Sequence, residues 1–252
     1  MRIISVVGVR KRYARSLVLN NIDLEIGPST FLSILGGSGC GKSTLLRLMA
    51  GFEAPSEGMI TRSEKISEPG KIGFVFQSPN LLPWKNVLGN IELPLKIMGI
   101  KQKKYEEIVR HVIDITSLSG QEKKYPHQLS GGMQMRVSIA RALVTRPMVL
   151  FMDEPFAALD EKTRKDLNFT LRDIFNTMGI TVIFVTHNIA EAVYLSDRIS
   201  ILGGSPASIV ETIEVARKEI FCPSGSVSQD FGSVVEHISK KFFKRDEILL
   251  GF

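Results

Sequence analysis

The residues with the clearest chemical potential are the consecutive Gly36, Gly37, Ser38, Gly39, Cys40, Gly41, Lys42, Ser43 and Thr44. Glycines leave backbone N–H groups unobstructed, so several can converge on phosphate oxygens. A helix opening at the end of the loop would add a favourable dipole. Lys42 would then reach the β and γ phosphates of a nucleoside triphosphate, Ser43 would ligate Mg²⁺, and Thr44 would support the α phosphate. A fortuitous glycine turn is the alternative. The flanking pattern argues against it: apolar "FLSIL" (31–35) precedes the loop and helical "KSTLLRLMAGF" (42–52) follows.

A second group is acidic. Apolar "MVLFM" (148–152) ends in Asp153 and Glu154. A carboxylate at the end of a buried strand can hold Mg²⁺, usually through water, and its neighbour can accept a proton from an attacking water. His187 ends "TVIFVTH" and Gln77 ends "IGFVFQ". Both lie at the strand ends where ligands of parallel sheets gather. A polar strand cap is the alternative for Gln77. His187 is better placed for a γ-phosphate contact than for a core role. The stretch "LSGGMQMR" (129–136) supplies another cradle. Ser130 can cap a helix whose first residues, Gly131 and Gly132, leave its N–H groups open to an anion. Capping alone would explain these residues equally well, and one chain with two anion cradles poses a question.

The elements that must position these groups are legible as apolar runs. Segments 31–35, 72–76, 148–152, 181–185 and 198–202 are continuously hydrophobic, as strands covered on both faces are. Helical patterns follow several of them, at 42–52, 161–179 and 188–196, which predicts an α/β core with a mostly parallel sheet. "IISVVGV" and "LVLNNIDLEI" predict an N-terminal antiparallel part. No strand is expected from Ser78 to Thr145, where 104–120 and 131–146 read as helices, with Met133, Val137, Ala140 and Val144 on one face of the second. The expected division is an ATP-binding domain over 1–215, with core segments 1–77 and 146–215, a helical part at 78–145, and a weakly patterned tail over 216–252. The charge of +6 and pI of about 9.3 suit an anionic ligand or membrane surface, but the cations are scattered. There is no apolar run of membrane-spanning length and no secretory leader pattern, and Cys40 and Cys222 suit a reducing compartment. The chain is expected on the cytoplasmic side.

Taken in order, "GGSGCGKST", "FQ", "LSGGM", "LFMDEP", "ALD" and "VTH" resemble the ATP-binding subunit of ABC transporters. The resemblance covers about 200 residues and implies a P-loop ATPase fold that uses ATP and Mg²⁺. It implies a head-to-tail homodimer in which each ATP is gripped by the P-loop of one subunit and the LSGG signature of the other, which answers why one chain carries two cradles. It makes Tyr13 the platform for adenine, Gln77 a contact to Mg²⁺ and to the membrane partner, and Asp160 a residue that crosses the dimer interface. It makes His187 a switch on the γ phosphate. Asp160 is also placed to cap the helix after it. "FQSPNLLPWKNVLGNIELPL", "YPHQLSGGM" and "DEPFAALD" look like the importer branch for nitrate, taurine and aliphatic sulfonates. That implies a separate integral membrane permease, a solute-binding protein acting indirectly, and a peripheral place on the inner face of the plasma membrane. Trp84 would belong to the surface that meets the permease, or else anchor the core. The sequence departs from the family at "GPST" before the P-loop strand, at "MQMR" in the signature and at Asn188 after the histidine. A soluble ABC-type ATPase acting on nucleic acid or ribosomes is the alternative. Such proteins carry a long coiled-coil insertion or two cassettes, and neither occurs here, so no nucleic-acid partner is expected.

Overall fold

A computed structural model describes residues 2–216 and 231–250; Cys222 lies outside the described residues. The chain forms two compact units, Met1–Arg62 with Ile183–Phe252, and Ser63–Val182. The division falls within the strand Thr181–Thr186.

In the first unit, β1 (Ile4–Tyr13) and β2 (Ser16–Ile26) pair antiparallel, with Ile4 opposite Ile26 and Val6 opposite Leu24. The buried residues of β1 are Ile4, Val6 and Val9, so the alternation changes parity once. A register shift between Val6 and Val9 accounts for it: the extra residue returns Val9 to the core side. β3 (Phe31–Leu35) is buried throughout and runs parallel to β8 (Arg198–Gly204). β8 turns back antiparallel into β9 (Ala207–Glu214), whose Ala207 meets Leu19 of β2. With β4 (Glu57–Arg62) on the other side of β1, the order across this unit is β4-β1-β2-β9-β8-β3. β7 is Thr181–Thr186, every residue buried. The helices are α1 (Lys42–Ala50), α8 (Ile189–Leu195) and α9 (Phe231–Leu250).

The second unit carries α2 (Glu64–Ser67), β5 (Ile72–Val75) and β6 (Val149–Asp153). β5 and β6 run parallel, with Ile72 opposite Val149 and Val75 opposite Met152. Between them in sequence lie α3 (Val87–Ile91), α4 (Leu93–Ile97), α5 (Glu106–Ile115) and α6 (Gly131–Leu143), and no strand occurs among the described residues from 78 to 145. α7 (Glu161–Met178) ends on Gly179, whose left-handed conformation (φ 60°) lets its N–H reach the Phe175 carbonyl. The anticipated apolar face of α6 is wider than 133, 137, 140 and 144. Met135, Ile139 and Leu143 are buried as well, whereas Met133 is half-buried.

The tail departs from its weak pattern. Residues after Gly203 complete a hairpin with β9, and α9 places Phe231, Val234, Val235, Ile238 and Phe242 on one apolar side. That side packs on a cluster of Leu35, Ala192, Val193, Ile199, Ile201 and Val215. Leu35 is the residue before the glycine loop, and Ala192 and Val193 belong to the helix after His187. Lys241 adds an ion pair to Glu211 of β9 at 2.5 Å. Ile238 is 1% exposed at the centre of this contact. Ile238→Ala should therefore lower stability by about 2–4 kcal/mol, read as a drop of several degrees in the thermal unfolding midpoint. An unchanged midpoint would show that α9 contributes nothing to this core.

Candidate functional site

In the first unit the glycine loop joins β3 to α1. Gly36 has no room for a side chain: a Cβ there would stand 2.7 Å from the Leu202 carbonyl of β8. Gly41 is the helix cap in a left-handed conformation (φ 98°), and Leu45 donates to its carbonyl. Between them Gly37, Ser38 and Gly39 are exposed, and a Cβ on Gly37 or Gly39 would meet nothing within 4 Å. The loop is thus tightly seated at both ends and open along its rim, as a cradle for an external anion must be. Lys42 folds back under it. Its ammonium is buried, donating to the carbonyls of Gly36 at 3.0 Å and Gly37 at 2.7 Å. Ser43 and Thr44 are half-buried at the start of α1. Gly37–Cys40 line one side of a cavity of about 610 Å³, with Ser16–Val18, Ile201–Ser205, Val210 and Phe242 on the others.

At the far end of α1, Arg62 of β4 donates to the Met49 carbonyl at 2.7 Å and the Leu48 carbonyl at 2.6 Å. These are among the orphan acceptors of a helix C-terminus, and a guanidinium suits the negative end of its dipole. Burial holds the Arg62 pKa below its ordinary value. Nothing local in the sequence marks this cap, because the donor lies on another element.

Tyr13 ends β1 with its ring 42% exposed. Burial raises its phenol above the ordinary value; the Glu53 carboxylate, which accepts the hydroxyl hydrogen bond, acts the same way, and Thr44 and Arg47 oppose it. The structure thereby brings Tyr13 to the end of the glycine loop. His187 is exposed just after β7. The turn that carries it is tied down by three residues. Thr186 Oγ1 donates to the Glu191 carboxylate at 2.7 Å, Asn188 N–H donates to Thr186 Oγ1 at 3.0 Å, and Glu191 N–H donates to Asn188 Oδ1 at 3.1 Å. Asn188 is therefore the helix cap of α8. An amide oxygen accepts as an aspartate would, and it avoids a second negative charge beside the buried Glu191. That explains why Asn is tolerated after the histidine.

In the second unit Gln77 is exposed one residue beyond Phe76. The segment after it is fastened from two directions. Arg141 of α6 donates to the carbonyls of Pro79 and Asn80, each at 2.8 Å. Asn90 of α3, fully buried, accepts from Leu82 N–H at 2.8 Å and donates to the Lys85 and Asn86 carbonyls at 2.9 and 3.0 Å. Trp84 stands between these fasteners, 70% exposed, and so does not anchor the core. Asn90 and Arg141 escaped sequence reading. A wholly buried asparagine inside an apolar helix carries no local signature beyond its polarity.

Asp153 ends β6, 6% exposed. Glu154 follows with φ 43°, a left-handed conformation uncommon for a side-chain-bearing residue. Strain of this kind costs on the order of 1–3 kcal/mol and concentrates at functional sites. Here it turns the chain sharply at the strand end. Asp160 caps α7, accepting from Thr163 N–H at 3.0 Å, and that bond holds its carboxyl below the ordinary value. Ser130 caps α6 by accepting from Met133 N–H at 3.3 Å. The two caps adjoin. A Cβ on Gly132 would lie 2.3 Å from Thr163 Cγ2, and one on Gly131 would lie 3.5 Å from Leu159 Cδ2. The second glycine of the signature is required by helix packing, and the first is exposed. Gln134 donates to the Pro126 and Leu129 carbonyls at 3.0 and 3.3 Å and Met135 is buried, which accounts for "MQMR".

The ABC transporter family model matches residues 19–157. An uncharacterised ABC transporter ATP-binding protein of Methanocaldococcus jannaschii is 46% identical over 203 residues, 80% of this chain and 76% of that protein. The aliphatic sulfonates import ATP-binding protein SsuB of Bacillus subtilis is 40% identical over 236 residues, 93% of this chain and 90% of SsuB. Among solved structures, the ATP-binding cassette MJ0796, a dimer in a post-hydrolysis state bound to ADP and Pi, aligns with TM-score 0.74 and 31% identity over 84% of this chain and 98% of that one. The cbiO1 protein of Clostridium perfringens, part of the ABC transporter complex cbiONQ, aligns with TM-score 0.78 and 26% identity over 100% of this chain and 99% of that one.

The two signature glycines should part company on mutation. Gly132→Ala should destabilise by about 1–3 kcal/mol through overpacking, and Thr163→Ser in the same chain should restore most of it by removing Cγ2. Gly131→Ala should leave the unfolding free energy within ~0.5 kcal/mol of the parent. Equal destabilisation by both, with no rescue, would contradict the packing account.

Proposed function

This chain belongs to the ABC transporter family of ATP-binding proteins, and on that premise we propose that it is the ATPase subunit of an importer, hydrolysing ATP to drive uptake of a small compound through a separate permease. The observation that carries the reading is the glycine loop. It is open at its rim, seated at Gly36 and Gly41, and underlain by the buried Lys42 ammonium. A buried cation beside unobstructed N–H groups at a helix N-terminus favours a polyanion.

Roles follow from chemistry and position. Gly36–Gly41 and Lys42 bind the phosphates, Thr44 supports the α phosphate, and Tyr13 carries adenine. Ser43 and Asp153 would hold Mg²⁺, with Gln77 as a further contact. Hydroxyl, carboxylate and amide oxygens are the donors this hard cation takes. When bound, Mg²⁺ neutralises charge on the β and γ oxygens. Glu154 accepts a proton from the attacking water, and the left-handed turn at this residue supports a placed base. His187 contacts the γ phosphate from a turn held by Thr186, Asn188 and Glu191. Ser130, Gly131, Gly132 and Asp160 serve the ATP of a second copy. The adjacency of the two caps within one unit supports a shared interface role for them.

The permease would meet the exposed Trp84 surface, and a solute-binding protein would act through the permease. The chain would sit peripherally on the cytoplasmic face of the membrane; among the described residues no helix is long and apolar enough to cross it. The names of the relatives favour a small sulfonate as cargo, with the sulfate/thiosulfate import protein CysA of Brucella melitensis (44% identical over 208 residues) pointing to the same oxyanion chemistry.

Lys42 and Glu154 should fail differently. Lys42→Ala should weaken ATP binding and hydrolysis together. Glu154→Gln should retain binding and lose turnover by roughly 10²–10⁴-fold, the range for a general base. Paired equilibrium binding and steady-state phosphate release would check both. Near-normal turnover in Glu154→Gln would remove it from the role of base.

A further inference from the structure

The proposed adenine platform is braced by two charged residues that the motifs do not include. Lys11 and Tyr13 are two apart on β1 and share a face of the strand. Glu53 and Ala54 follow α1 just past its Gly51 cap. The Tyr13 hydroxyl donates to the Glu53 carboxylate. Lys11 Nζ lies 3.0 Å from Glu53 Oε2, donates to the Ala54 carbonyl at 2.9 Å, and stands over the Tyr13 ring 4.8 Å from its centroid. The Lys11 side chain is only 12% exposed and that of Glu53 26%. The group is a built arrangement rather than a chance surface pair.

The geometry divides the labour. A tyrosine ring held at Cβ and at its hydroxyl can still roll about the axis joining them. Glu53 fixes the hydroxyl end, and Lys11 over one face opposes the roll. One face is thereby occupied, and the opposite face is left for a base. The brace also closes a mechanical loop. α1 begins at Lys42 and ends next to Glu53, so one nine-residue helix ties the phosphate loop to the ring. Glu53 remains ionised because its carboxyl is lowered first by the Tyr13 hydrogen bond and then by Lys11.

We propose that Lys11 and Glu53 are positioning residues for nucleotide-base recognition: together they fix the plane of Tyr13 so that adenine stacks on the single face that Lys11 leaves open. The inference rests on the reading of Tyr13 as the adenine platform, and its test separates the two. The readouts are KM and kcat for ATP, and the inhibition constant of inorganic tripolyphosphate, which has phosphates and no base. Lys11→Met and Glu53→Ala should each raise KM for ATP by roughly 3–10-fold, with kcat at saturation kept within about twofold and tripolyphosphate inhibition unchanged. Tyr13→Phe, which keeps the ring and loses the anchor, should behave the same way. In a Tyr13→Ala chain, adding Lys11→Met should have no further effect. If Tyr13→Ala raises KM while Lys11→Met and Glu53→Ala do not, the brace is refuted and the platform stands. If Tyr13→Ala itself leaves KM unchanged, the platform reading fails and the brace with it. A parallel loss of ATP and tripolyphosphate affinity in Lys11→Met would mean general loosening of the site, which overturns the positioning role.

Discussion

A buried ammonium is the constraint around which the first unit is organised. Lys42 places its charge under the glycine loop, out of water, with the carbonyls of Gly36 and Gly37 as hydrogen-bond acceptors. Carbonyl dipoles offset part of the desolvation cost, and an ammonium in this place attracts a phosphate. For the carbonyls to reach the lysine, the loop must curl tightly. Curling requires Gly36 against the Leu202 backbone and Gly41 at positive φ. Leu202 in turn is held by pairing of β8 with β9, and Leu35 by the cluster that α9 closes. The tail, which carries no motif, thus contributes to the ground on which the phosphate loop stands.

In the second unit, helix caps organise the signature. Ser130 and Asp160 each satisfy a helix N-terminus with their own oxygen, and Gly132 lets the two helix starts approach as closely as Thr163 allows. Capping and interface roles are compatible for both residues, since an exposed cap also presents N–H groups and a dipole outward. The Gln77–Asn86 segment follows a different rule. Beyond its own Lys85–Leu82 backbone bond, Arg141 and Asn90, from two helices, hold it. A segment gripped at both ends with an exposed tryptophan between them is suited to transmit force from a partner.

Much of this was readable beforehand, and the omissions have physical causes. The five continuous apolar runs became β3, β5, β6, β7 and β8, because strands covered on both faces need no polar alternation. β4 was missed: Glu57, Gly58 and Met59 are exposed, and a sheet-edge strand carries no buried pattern. β9 is mostly half-buried, so its alternation is faint. In α9 the apolar residues at 231, 234, 235, 238 and 242 do keep helical spacing, but intervening Gly232 and Ser233 blur it. For the site, the motif residues were nameable because each needs a particular residue type at a strand or helix end. Their supports were not: Arg62, Arg141, Lys11 and Glu53 act on segments distant in sequence, and Asn90 gives no local sign beyond its polarity. Trp84 was open between core and surface, and only its exposure of 70% decides for surface.

In the proposed dimer, the second glycine motif of one copy completes the ATP site of another. The most direct test places one cysteine at Ser38 in one chain and one at Ser130 in a second, both in a Glu154→Gln background with Cys40 and Cys222 replaced by serine. The two chains are mixed and oxidised with and without ATP, and the products are separated under non-reducing conditions. A crosslinked heterodimer should form with ATP and not without it if the two copies share each nucleotide. Failure to crosslink with ATP, together with parent-chain hydrolysis by a monomer at a specific rate independent of protein concentration, would contradict that sharing.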